Sequence, residues 1–430
     1  MALFIHSSDP AFDAAYARLL SARGARLDAA EAAVRPIVAD VRARGLDAVL
    51  ELTAKFDGVV LKADALKVSD SERKRARAAC APDVVAALEK AAARIADFHA
   101  RQKPEDARWV DAQGVTLGWR WTPVDAAGVY APGGLAAYPS SVLMNAVPAK
   151  AAGVARVVMA TPPGRLLENP AILAAADIAG IDEIWSIGGA QAIAALAYGA
   201  GALTPCDVVV GPGNAYVAAA KKIVFGDVGV DAIAGPSEVF ILADKSAAPE
   251  WLAADLLAQA EHDEDAQSVL FTDDATHGKA VMAAVDAQLA RGDAGVPART
   301  SWERHGAIIV VEKLADACPL IDRAAPEHVQ IAAADAEALA ARIRHAGALF
   351  LGVYTPEALG DYIAGPSHVL PTSRAARYAS GVNVLTFMKR TTIIGASAVG
   401  VQAIGGAAAT LADAEGLPAH ARSVRTRLKQ

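Results

Sequence analysis

The sequence predicts an α/β protein in which two parallel sheets follow one another, preceded by helices and followed by a helical tail. Three observations predict it. Short apolar runs that end near glycine or proline alternate with helical patterns, and a repeated strand–loop–helix order makes a parallel sheet with crossover helices. That alternation occurs in two successive blocks. The 430 residues also exceed what one hydrophobic core holds, so more than one domain is expected.

The elements follow in order. Residues 10–100 alternate charge and alanine at helical spacing, most clearly in "DAAEAAVRPIVADVRARG" (28–45) and "APDVVAALEKAAARIADFHARQ" (81–102). Gly45 closes the first of these. "ARVVMAT" (155–161), "DEIWSIGG" (182–189) and "CDVVVGPGN" (206–214) read as strands of one sheet. "EVFILAD" (238–244), "QSVLFTDD" (267–274), "HGAIIVVEK" (305–313) and "GALFLGVY" (347–354) read as strands of the next. The tail after about residue 382 reads as helical and continuous with neither sheet.

Composition excludes several classes. A net charge of −7 without a Lys/Arg cluster speaks against nucleic acid. The stretches 126–149 and 184–206 carry no charge and are long enough for membrane spans. Their paired glycines, and the prolines and polar residues of the first, fit active-site loops joined to buried helices instead, so no membrane partner is expected. Three widely separated cysteines, Cys80, Cys206 and Cys318, offer neither a disulfide framework nor a metal knuckle, and a reducing cytoplasm is expected. The N-terminal segment lacks the pattern of a signal peptide.

Three loops share one design: "GVYAPGGLAAYPSS" (128–141), "SIGGAQAIAA" (186–195) and "VVGPGNAYVAAAKK" (209–222). In each, a strand or turn leads through glycines into a helix. Glycine admits a ligand close to the backbone, and a helix start offers free N–H groups to an anion. None is GxGxxG, so the ordinary dinucleotide fingerprint is absent. A tight turn explains any one of them. The three together, carrying Tyr130, Gln191 and Asn214, point to a nucleotide.

Polar residues also stand out of place. "LLAQAEHD" (256–263) sets Gln259 and His262 one helical turn apart in an apolar run. "RAAPEHVQI" (323–331) joins Glu327 to His328, a carboxylate–imidazole pair suited to proton transfer. "LGDYIAGPSHVLPT" (359–372) carries Asp361 and His368, and "AEGLPAHARSV" (414–424) carries Glu415 and His420. Caps and turns account for each group singly. As ligands, Gln259, His262, Asp361 and His420 would supply two nitrogens and two oxygens, which zinc, manganese or cobalt accept.

"GVYAPGG", "GGAQAIAALAYG", "GPGNAYVAAAK", "AGPSEV", "LLAQAEHD", "APEH", "GDYIAGPSHVLPT", "FMKRT" and "AEGLPAHA" follow one another in this order between about residues 25 and 425. In this the chain resembles the histidinol dehydrogenase family. The resemblance implies a zinc enzyme, with manganese as a substitute metal, that oxidises L-histidinol through L-histidinal to L-histidine and reduces two NAD⁺. It implies two incomplete Rossmann-like domains and an intertwined homodimer. The division is then a helical arm at 1–25, a larger domain at 26–129 plus 237–381, an inserted NAD-binding domain at 130–236, and a tail at 382–430 serving the partner's site.

Carried over by motif, the zinc ligands are Gln259, His262, Asp361 and His420, the last reaching across from the other subunit. Tyr130, Gln191 and Asn214 match NAD positions; Ser237, His368 and Glu415 match substrate contacts, which the ligands and His328 share. Glu327 and His328 match the acid–base pair, with His328 near its free pKa taking the alcohol proton and Glu327 activating the water of the second oxidation. The chain departs from the family at Ser367, commonly Asn, and at Leu135, usually small and polar or basic. Competing expectations are a dehydrogenase of this scaffold acting on another polar alcohol such as a sulfonated diol, a metal-dependent hydrolase, and an inactive scaffold.

Overall fold

The structure is a computed structural model describing residues 2–21, 27–133, 138–164, 169–233 and 235–428, with only the backbone at 27 and 28. Leu135 lies outside the described residues. In chain order the strands are β1 (Leu3–His6), β2 (Ala107–Val110), β3 (Val115–Pro123), β4 (Ala126–Tyr130), β5 (Arg156–Thr161), β6 (Glu183–Ser186) and β7 (Val208–Val210). They continue with β8 (Gly229–Val230), β9 (Glu238–Ala243), β10 (Gln267–Thr272), β11 (Ala307–Val310), β12 (His328–Ala332), β13 (Ala348–Leu351) and β14 (Met388–Ala396).

Two sheets are wholly parallel, as expected. The first has the order β6-β5-β4-β7-β8. Its strands are apolar on both faces, so both need cover. Val157 and Met159 pack with the helices Pro82–Ala100, Pro139–Ala152 and Pro170–Ile178. Val158 and Ala160 pack with Leu27–Arg44, Leu46–Asp57, Gly189–Tyr198 and Ala215–Val224. This packing crosses the expected division in two places. The helices of 27–100, assigned to the larger domain, complete the layers of the smaller sheet. The boundary at 129/130 falls inside β4. The two charge-free stretches become the buried helices Pro139–Ala152 and Gly189–Tyr198, and among the described residues no helix is long and apolar enough to cross a membrane.

The second parallel sheet has the order β1-β11-β10-β9-β12-β13. The arm expected to be helical thus opens with a strand: "LFIH" pairs with β11 from Leu3↔Ala307 to His6↔Val310 before the helix Phe12–Ser21 begins. A four-residue apolar run is too short for a stable helix and instead satisfies the backbone of β11. Along β12, Val329 and Ile331 face one apolar layer. His328 and Gln330 therefore face the other, beside Val239 and Ile241 and under the helix Pro249–Ala260. Alternation along one strand thereby directs the chemistry to one side.

The third sheet is antiparallel, β14-β3-β2, and overturns the reading of the tail as helical throughout. β14 carries Thr391, Thr392, Ile393 and Ile394 in a row, β-branched residues that favour a pleated ribbon. It pairs with β3 from Met388↔Pro123 to Ala396↔Val115. Helices Ala398–Ala414 and Pro418–Leu428 follow and pack on each other.

Candidate active site

A cavity of about 550 Å³ lies where the two parallel sheets face each other. Pro132 after β4 and Gly211–Ala215 after β7 line one side, at the carboxyl ends of their strands. Ser237 before β9, and Glu327 and His328 at the start of β12, line the other, at the amino ends. Gln259, His262, Asp361 and His368 complete that wall.

His328 is buried, and its Nδ1 lies 3.0 Å from the main-chain oxygen of Glu238. A carbonyl only accepts, so Nδ1 carries the proton and Nε2 is the free acceptor. That Nε2 has no hydrogen-bond partner among the described residues and lies 4.0 Å from Asp361 Oδ1. Burial holds the imidazole down to about 4. This corrects the expectation of a histidine near its free pKa: removal from water disfavours the charged ring, so His328 is neutral at physiological pH.

Glu327 is held by the Glu238 N–H at 3.1 Å and by the Ser237 hydroxyl. Burial nonetheless raises its carboxyl well above the usual range. The backbone is strained two residues earlier, where Ala325 caps the helix Ala317–Ala324 at φ 46, a left-handed conformation costing a non-glycine residue about 1–2 kcal/mol.

His262 sits in the turn after its helix, not on the helix face: the helix ends at Ala260. Its N–H donates to Gln259 O at 3.2 Å, which keeps the two residues together. His262 Nε2 lies 3.8 Å from Asp361 Oδ2. Gln259 is fully buried, yet neither its amide oxygen nor its nitrogen has a partner among the described residues. A buried amide without partners is costly and calls for a ligand. Oxygen from Gln259 and Asp361 with nitrogen from His262 is a donor set that a divalent cation accepts.

Sequence reasoning missed Glu357. It lies four residues before Asp361 on the helix Glu357–Tyr362, and that spacing was the available signal. His262, Glu357 and Asp361 offer ligand atoms within 4.8 Å of one another. Glu357 is buried, its Oε1 is 3.5 Å from His328 Nδ1, and its Oε2 has no hydrogen-bond partner among the described residues. Burial raises its carboxyl well above the usual range, reinforced by the charges of Asp361, Glu327 and Asp255. His368 donates from Nδ1 to Asp361 O at 2.9 Å, and its Nε2 is 3.2 Å from Ser141 Oγ. Ser367 bonds Met144 O at 2.8 Å, tying that loop to the helix Pro139–Ala152 and touching none of the proposed ligands.

The nucleotide positions divide. Asn214 lines the cavity and caps its helix, accepting from Tyr216 and Val217 N–H at 3.1 Å each. Gly211 takes φ 122, and a Cβ there would lie 2.2 Å from Tyr130 O. Its N–H donates to Asp231 at 2.9 Å and its oxygen accepts from Lys221 at 3.0 Å; Lys221 and Asp231 form a buried ion pair. Tyr130 and Gln191 do not line the cavity, and the Tyr130 hydroxyl accepts from Gly189 N–H at 3.0 Å. Glu415 and His420 are not brought to the cavity by their own chain; both are exposed on the tail.

The family model described as Histidinol dehydrogenase matches residues 21–428. Curated histidinol dehydrogenases from Cereibacter sphaeroides and Ruegeria pomeroyi are 53% and 54% identical over 428 residues, covering 100% of this chain and 99% of each relative. The crystal structure of histidinol dehydrogenase from Elizabethkingia anophelis superposes with a TM-score of 0.91 at 33% identity, covering 100% of this chain and 98% of that one. The chain belongs to the histidinol dehydrogenase family.

Proposed function

We propose that this chain oxidises L-histidinol through L-histidinal to L-histidine with two NAD⁺, as the closing steps of histidine biosynthesis. The observation that carries the reading is the fully buried, unpartnered Gln259 amide beside His262, Asp361 and a neutral His328. Gln259, His262 and Asp361 would hold zinc, or manganese in its place, with His420 supplied by a second copy. The metal, when bound, would hold the substrate's nitrogen groups, and NAD⁺ would supply the hydride acceptor.

His328 Nε2 takes the hydroxyl proton as hydride leaves the alcohol carbon. Glu327 then takes a proton from the water that adds to the aldehyde carbon, and the hydrate gives up its second hydride with His328 again receiving the hydroxyl proton. Each turnover thus consumes one water and two NAD⁺ and leaves a carboxylate. No thiol is needed, which accords with three buried free cysteines, one of them (Cys206) pushed up to about 12 by burial. Those reduced thiols also support a cytoplasmic setting.

The homodimer is part of the proposal. Ile394, Val399 and Leu411 of the tail are 73%, 72% and 65% exposed, an apolar surface that a second copy would cover while presenting Glu415 and His420 to its neighbour.

The test is histidinol-dependent NADH formation alongside metal content, in the wild type and in His262→Asn. Two NADH per histidinol in the wild type, with metal and turnover lost together in the variant, is the expected result. Full activity without bound metal would remove the ligand assignment, and turnover of a sulfonated diol in preference to histidinol would reassign the substrate.

A further inference from the structure

Asp57 ends the helix Leu46–Asp57, in the layer against the five-stranded sheet, and lines no part of the cavity. It closes a small polar cluster around the second glycine loop. Asp57 Oδ2 accepts from Gln191 Nε2 at 3.3 Å, and the Tyr130 hydroxyl meets Gly189 N–H in the same loop. A Cβ on Gly188 would stand 2.8 Å from Asp57 Oδ1, so this position must be glycine for the carboxylate to lie against the backbone. Among the described residues Gln191 is the only hydrogen-bond partner of Asp57, and no cation pairs with it. A half-buried anion left unneutralised is a cost to folding that a ligand can offset.

Its location decides what that ligand offers. A helix beginning at Gly189 would ordinarily welcome a phosphate at its free N–H groups. Here a carboxylate already faces that end, so the place favours hydrogen-bond donors and opposes phosphate. In dinucleotide sites an acidic side chain of this kind accepts from the ribose hydroxyls, and its charge is incompatible with a 2′-phosphate. The hydride-accepting ring must enter the cavity where His328 Nε2 is free, and Asn214 lines that cavity whereas Tyr130, Gln191 and Asp57 do not. The Asp57 cluster therefore belongs to the adenosine half.

We propose that Asp57 selects NAD⁺ over NADP⁺, accepting hydrogen bonds from the adenosine ribose hydroxyls and repelling a 2′-phosphate. The inference rests on the NAD⁺ reading of Tyr130, Gln191 and Asn214. The experiment titrates full-length wild type, Asp57→Asn and Asp57→Ser with NAD⁺ and with NADP⁺ by calorimetry without histidinol, and measures kcat/KM for both nucleotides. Asp57→Asn keeps the shape and the acceptor for Gln191; Asp57→Ser adds room.

The wild type should bind NAD⁺ more tightly. Both variants should lower the NAD⁺/NADP⁺ affinity ratio by at least about tenfold, the worth of one hydrogen bond to a charged acceptor. An unchanged ratio in both variants, with wild-type circular dichroism, would overturn the role of Asp57 while leaving the NAD⁺ reading intact. A wild type that binds neither nucleotide would overturn both.

Discussion

The two parallel sheets share a strand order and present opposite ends to the cavity. In β6-β5-β4-β7-β8 the chain winds outward from β4 and then returns to its other side; β11-β10-β9-β12-β13 repeats this from β9. The smaller sheet meets the cavity with its carboxyl ends, where loops run into helix starts and glycines admit a ligand. The larger sheet meets it with its amino ends, where Gln259 and His262 lie at the end of the helix Pro249–Ala260. A helix end carries partial negative charge and main-chain oxygens, and so favours a cation. One fold pattern, reversed, thus puts glycine-rich helix starts on one wall and side-chain acceptors with buried acids on the other, the two surfaces that the proposed function draws on.

The sharpest way to break this comparison is Glu327→Gln on the amino-end wall. The second oxidation should fall by roughly 10²–10⁴, while reduction of supplied histidinal, the reverse of the first oxidation, falls less. Equal losses in both half-reactions would remove the water-activating role. On the carboxyl-end wall, Gly211→Ala places a Cβ against Tyr130 O at a backbone angle suited to glycine. It should raise KM for NAD⁺ with kcat little changed and destabilise the fold by roughly 1–3 kcal/mol. A fall in kcat at unchanged KM would show that this loop serves the chemical step instead.

The smallest expected effect is on stability against acid. Burial lowers His99, His328 and His368 below the ordinary imidazole value of about 6.5. The folded state then binds fewer protons than the unfolded one below about pH 6.5, so their contribution is whole above that pH and is lost as pH falls. Glu327 and Glu357 are raised and act in the opposite sense, favouring the fold at low pH and losing that contribution as pH rises above the unfolded carboxylate value. Denaturant midpoints between about pH 8 and 5 should therefore decline gently toward acid, and His99→Gln, remote from the cavity, should flatten the decline. A midpoint that rises toward acid would show that the buried carboxylates dominate.

What was legible in the sequence follows period and punctuation. Apolar runs bounded by glycine or proline located β5, β6, β7, β9, β10, β11 and β13, and Gly45 marked a helix end. β3 and β14 escaped because their pairing partners lie far apart in the chain and only long-range contact makes them a ribbon. The helices of 27–100 show an amphipathic stripe that announces a need for a core without saying which, and only the fold shows them packed on the smaller sheet. Among site residues, motif order singled out Gln259, His262, Glu327, His328, Asp361 and His368, which the fold gathers around one cavity. Glu357 and Asp57 went unnoticed because a carboxylate's meaning depends on burial and on what lies opposite, and neither is written locally.

The tautomer of His328 is set by a main-chain oxygen, that of Glu238, rather than by a side chain. No substitution at position 238 can delete that acceptor, and it stays in place while β12 keeps its alignment beside β9. The readiness of the proposed base is therefore insulated from mutational drift, whereas the shape of the surrounding wall is not. Variants evolved or engineered toward other alcohols are free to recarve the pocket without relearning how to abstract a proton.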